Sequence, residues 1–127
     1  MSDARTPYGF ELILDLHQCD VSKFNRDSLQ DFFAQLCAVI DMEQCELYFW
    51  DDVGVPVGER QTSAHTKGTS AVQFILTSSI VLHTLDLLEV VYVNIFSCKH
   101  FDAEVVEEFV TRWFSATECT AHFIERK

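Results

Sequence analysis

Residues 68–98 constrain this chain more than any other stretch, because three strand-like runs follow one another there with no helical pattern between them. Residues 70–77 form a nearly continuous apolar run, as expected of a central strand covered on at least one face. Residues 79–83 read as a second, short strand. Residues 89–97 read as a longer one in which Val91, Val93 and Ile95 share one side. Val90, Tyr92, Asn94 and Phe96, continuing to Cys98, fall on the other side, since successive side chains of a strand alternate.

The flanking sequence supplies the other layer. Residues 8–17 read as a first strand with Phe10, Leu12 and Leu14 on one face, and residues 44–50 as another. Between them, Asn25 is placed to cap a helix reaching about Ile40, with Leu29, Phe32, Phe33, Leu36, Val39 and Ile40 at helical spacing. Downstream, Asp102 is placed to cap a second helix with Val105, Val106, Phe109, Val110 and Trp113 as its buried stripe, and residues 117–124 read as a closing strand. The segment 51–67, with Gly54, Pro56 and Gly58 ahead of a Ser/Thr-rich end, reads as an exposed loop. The order β-α-β-β-β-β-α-β predicts an α+β fold, a two-layer α/β sandwich with a mainly antiparallel sheet and two helices on one face. At 127 residues the expectation is one domain, 1–127.

Charge narrows the function classes. A formal charge of -11 argues against a nucleic-acid partner, which requires clustered Lys and Arg, and suits a cationic substrate. No apolar run approaches the length that spans a membrane, and the opening residues Met-Ser-Asp-Ala-Arg-Thr-Pro hold no apolar signal core. Five cysteines (Cys19, Cys37, Cys45, Cys98, Cys119), odd in number and without a CxxC pair, fit free thiols in a reducing cytoplasm, by default small buried side chains. His17, His65, His100 and His122 lack ligand-like spacing, so no metal site is expected.

The candidate chemistry lies in the central stretch. Ser78, His83 and Cys98 follow the spacing Ser-x4-His-x14-Cys, and Ser70 precedes Ser78 by eight residues. Each has an ordinary explanation alone: a serine hydroxyl is unreactive without an activating neighbour, a histidine beside Leu82 is commonly a hydrogen-bonded core residue, and a cysteine is a small hydrophobe. On adjacent strands, hydroxyl, imidazole and thiol are expected close together. The combination resembles the S-adenosylmethionine decarboxylase family in its short prokaryotic form. Leu14-Asp15-Leu16-His17-Gln18-Cys19-Asp20 resembles that family's opening strand and turn, and residues 114–127 its closing strand.

The resemblance implies a proenzyme. The Ser78 hydroxyl would attack the preceding carbonyl, and β-elimination would then part residues 1–77 from 78–127 and leave a pyruvoyl group derived from Ser78. By the same resemblance His83 assists the elimination, Ser70 steers ester formation and Cys98 protonates the product carbon, with Asn94 aimed toward the same site. It further implies a small-molecule amino-acid substrate, a homodimer and a place in polyamine biosynthesis. The chain departs from the family at Thr77, where a glutamate is usual, and at Leu85, Leu87 and Ala64, where the adenosyl-holding aromatic and acidic residues are expected. Neither Asp86 nor Glu89 has the right offset to replace the lost carboxylate. These departures extend the substrate question to arginine or ornithine. They also leave open a non-processing homolog that keeps the fold as a ligand- or partner-binding domain.

Overall fold

The structure is a computed structural model that describes residues 4–127, so the first three residues of the opening heptapeptide lie outside the described residues. Six strands and two helices run in the order β1 (Gly9–His17), α1 (Arg26–Val39), β2 (Gln44–Trp50), β3 (Gly68–Ile75), β4 (Ser78–Leu85), β5 (Val90–Ser97), α2 (Ala103–Phe114) and β6 (Glu118–Arg126). All pair antiparallel in one sheet, ordered β2-β3-β4-β5-β1-β6. The expected α+β sandwich is what the chain forms.

Period-2 alternation decides which face is covered. Leu12, Leu14, Leu16, Ala71, Ile75, Ile80, Leu82, Val91, Val93 and Ile95 are buried on the inner face, where both helices pack. Fully burying a Val, Leu or Ile side chain contributes about 1.5–3 kcal/mol, and nine such residues beside Ala71 make this face the natural seat for the helices. Asn25 caps α1 by accepting from the Ser28 N–H at 2.9 Å, and Asp102 caps α2 by accepting from Glu104 and Val105. The helices meet through aromatic rings: Phe32 stacks on Phe109 with centroids 5.9 Å apart and tilts against Phe114 at 5.1 Å.

Two stripe residues differ from expectation. Val39 and Val105 are exposed, while Cys37 and Phe114 are buried. Val39 lies only about 20° from buried Phe32 at 100° per residue and is exposed as the last residue of α1, whereas Val105 sits about 100° off the inward line that Val106, Val110 and Phe114 define at i, i+4, i+8. Cys45, expected to be buried by default, is exposed on the edge strand β2.

Buried Gln73 marks an irregularity at that edge. The β2–β3 register shifts between Gln44 and Leu47, and the Gln73 amide donates to the Cys45 and Phe74 carbonyls at 3.1 and 2.8 Å while accepting from Gln44. At the far end of β3, Gly68 brings the 51–67 loop back against the sheet. A Cβ there would lie 1.7 Å from the Thr84 carbonyl oxygen, so only glycine permits the approach.

Candidate active site

The outer face of the sheet carries the first group. Strand register pairs Trp50 with Ser70, Ser70 with His83, and His83 with Tyr92. These four residues therefore form a row across β2, β3, β4 and β5, with neighbours about 4.8 Å apart. Within it Ser70 Oγ lies 2.7 Å from His83 Nδ1. Trp50 is 64% exposed and Tyr92 38%, so both rings are available from solvent. The row opens on a cleft of about 390 Å³, to which the loop contributes Gln61, His65 and Thr66. Among the described residues no Lys, Arg, Asp or Glu lines it.

The second group sits at the β3–β4 turn. Ile75 pairs with Ser78, so Leu76 and Thr77 form a two-residue turn. Thr77 has φ +59°, the one β-branched residue in the left-handed region among the described residues, a conformation that costs about 1–3 kcal/mol. Its hydroxyl donates to the Leu76 carbonyl at 2.9 Å and lies 3.0 Å from Cys98 Sγ. The Cys98 N–H donates to Ser78 Oγ at 3.0 Å, and Ser78 is buried. The Thr77 hydroxyl, followed by that of Ser78, holds the Cys98 thiol below its ordinary pKa. A Thr77 hydroxyl proton turned from the Leu76 carbonyl to the sulfur favours the thiolate.

The expected single cluster thus divides in two. Ser78 and His83 lie five residues apart on β4, about 17 Å along the strand, and the odd separation sends them to opposite faces. Ser78 is buried on the helix side, whereas His83 is exposed on the other. Asn94 joins neither group, because its amide donates to Glu11 at 2.7 Å. Asp86 lines a different cleft of about 690 Å³ beside Arg26, Asp51 and Lys67, and burial raises its carboxyl pKa. Burial likewise pushes the Cys19 and Cys37 thiols up to about 11. Among the described residues no three His, Cys, Asp or Glu side chains group as metal ligands, and no helix is long and apolar enough to cross a membrane.

A profile of the S-adenosylmethionine decarboxylase family matches residues 10–127, nearly the whole chain. The chain belongs to this family. The fold of the decarboxylase-family chain is also similar to the crystal structure of the adenosylmethionine decarboxylase from Aquifex aeolicus VF5. That likeness has a TM-score of 0.73 at 13% identity and covers 96% of this chain and 92% of the other. Among curated proteins none matches.

Sequence reasoning missed Trp50 and Tyr92 as parts of the site. Tyr92 was legible as a member of the outer face of β5, but its alignment with His83 depends on the turn joining β4 and β5. Trp50 ends β2, whose pairing partner is separated from it by the entire 51–67 loop, so no local pattern reports its neighbours.

Proposed function

We propose that this family member cleaves itself between Thr77 and Ser78 and then decarboxylates a small amino-acid substrate, S-adenosylmethionine or a relative such as arginine or ornithine. The observation that carries the reading is the convergence at one strained turn of the Ser78 hydroxyl, the Cys98 backbone N–H at 3.0 Å, and the Cys98 thiol 3.0 Å from the Thr77 hydroxyl.

In this reading Ser78 Oγ attacks the Thr77 carbonyl carbon, the peptide C–N bond breaks and the Ser78 nitrogen takes up the proton, leaving an ester. Removal of the Ser78 Cα proton expels the ester oxygen with the Thr77 carboxylate. Water then replaces the nitrogen as ammonia, and a pyruvoyl group heads residues 78–127. The left-handed conformation of Thr77 favours the first step, because strain at the residue before the scissile bond is relieved on cleavage. The residues at the turn fit such a serine-derived group. Once formed, it supplies an electron-withdrawing carbonyl for a substrate amine as carbon dioxide leaves. Cys98 holds the proton that replaces the lost carboxylate.

Ser70 and His83, matched by resemblance to processing roles, lie too far from Ser78 on the same chain to serve it. A second copy removes the separation along the strand, and cleavage then requires the Leu76–Thr77 turn to carry Ser78 Oγ from the helix side to that face. Face-to-face packing of two outer sheet faces about a two-fold axis running across the strands reverses β4 of one copy over β4 of the other. The Ser70–His83 end of each copy then approaches the Ser78–Cys98 end of its partner. Such an interface also covers Tyr48, Trp50 and Phe74, which one chain leaves exposed.

Carbon dioxide release tests the chemistry. Cys98→Ala is expected to leave cleavage largely intact and to lower release of carbon dioxide from S-adenosylmethionine, arginine or ornithine by about a hundredfold or more, the lower range for general acid catalysis. Equal turnover in the variant would reject Cys98 as the proton donor.

A further inference from the structure

The Thr77 hydroxyl touches both the sulfur of Cys98 and the chain just ahead of the Thr77–Ser78 bond. Its Oγ1 lies 3.0 Å from Cys98 Sγ and 2.9 Å from the Leu76 carbonyl oxygen. With the sulfur protonated, the thiol donates to Thr77 Oγ1 while the hydroxyl donates to Leu76. With the sulfur ionised, the hydroxyl proton turns to it. One side chain thus serves both states, and it is the leading cause that holds the thiol below its ordinary pKa. That shift comes from hydroxyl and backbone contacts working against desolvation, not from a charged neighbour. The segments beside the turn, 41–44 and 97–102, carry Asp41, Glu43, Lys99, His100 and Asp102. Lys99 pairs with Asp41 at 2.8 Å, His100 packs edge-on against Phe10, Asp102 caps α2 and Glu43 is exposed. A carboxylate formed at the turn would therefore be a new influence on the thiol.

Cleavage after Thr77 supplies that carboxylate. Its carbon is three bonds from Thr77 Oγ1, so it forms within roughly 7 Å of the sulfur, inside the Debye length of about 8 Å at physiological salt. The Leu76 N–H, bonded to the Glu43 carbonyl at 3.3 Å, tethers the new chain end one residue upstream. The same event consumes the Ser78 hydroxyl, which also favours ionisation of the thiol. A like charge near the sulfur disfavours the thiolate. We propose that Thr77 is a positioning residue that acts through Cys98 in two states: in the uncut chain its hydroxyl ties the sulfur to the turn, and after cleavage its new carboxylate keeps the proton on the sulfur. The proton donor is thereby set by the event that creates the pyruvoyl group. This assignment deepens the self-cleaving decarboxylase reading and rests on it for the second state.

The pH profile of Cys98 alkylation by iodoacetamide tests this without turnover. The full-length chain carries Cys45→Ser, which removes the exposed thiol, and peptide mass mapping assigns the label to residue 98. Added Ser78→Ala keeps the chain uncut. In that background Thr77→Gly suits the left-handed φ and lacks the hydroxyl. It is expected to raise the pH of half-maximal alkylation and to slow alkylation at pH 7 about fivefold, the fold-change of an ordinary hydrogen bond. Thr77→Ser is expected to restore the profile. The cleaved chain with native Thr77 and Ser78 is expected to reach half-maximal alkylation at higher pH than the Ser78→Ala chain, although neither holds a Ser78 hydroxyl. Borohydride reduction of the pyruvoyl ketone is expected to leave that difference in place, because the carboxylate remains. An unchanged profile in Thr77→Gly, or a Thr77→Ser chain that behaves like it, would overturn the role of the hydroxyl. Equal profiles in cut and uncut chains, or a difference that disappears with the ketone, would overturn the role of the carboxylate and leave self-cleavage standing. A wild-type chain that never cleaves would sink the processing reading and the second state together, with the first still decided by Thr77→Gly.

Discussion

Ser78→Ala is expected to yield only the uncleaved 127-residue chain. The substitution removes the one oxygen that bonds to the Thr77 carbonyl in the proposed sequence of steps, so the effect is all-or-none. Alanine fits the buried position, and the folding cost is confined to the Cys98 N–H, whose acceptor is lost, about 1–3 kcal/mol. Circular dichroism and thermal melting separate this modest destabilisation from misfolding. A folded Ser78→Ala chain that still divides after Thr77 would remove Ser78 from the mechanism.

The second large effect is restoration of cleavage by mixing two dead variants. Ser78→Ala lacks the nucleophile, and His83→Ala lacks the proton carrier, so each expressed alone is expected to remain one chain. If the site is shared between two copies, co-expression assembles one complete site from Ser78 of the His83→Ala chain and His83 of the Ser78→Ala chain. The His83→Ala chain, identified by its mass, is then expected to be cleaved. The approximately 17 Å along β4 and the opposite faces of Ser78 and His83 motivate this expectation. If His83→Ala cleaves unaided, His83 has no part in processing. If neither variant is cleaved in the mixture, the shared site fails.

Element order was legible because each element carries its own period. Leu12, Leu14 and Leu16 alternate, Leu29, Phe32, Phe33 and Leu36 recur at helical spacing, and Asn25 and Asp102 cap as their positions suggest. Val105 misled because apolar identity was counted ahead of angular position, and Val39 because it ends its helix. The site was less legible for a related reason. Ser78 and His83 look close in sequence, yet an odd separation on one strand already dictates opposite faces. Cross-strand neighbours depend on turn lengths: the Leu76–Thr77 turn brings Ser70 beside His83, and the β4–β5 turn brings Tyr92 beside it. Trp50, Gln61 and His65 reach the cleft only through the folding of the 51–67 loop, which has no periodicity to read.

Intact mass of the purified wild-type chain under denaturing conditions tests the central claim most directly. Self-cleavage predicts two species, residues 1–77 and residues 78–127, the second blocked to N-terminal sequencing because a ketone replaces its amine. A lasting single species of 14.6 kDa would contradict it and favour a chain that keeps the decarboxylase fold without processing.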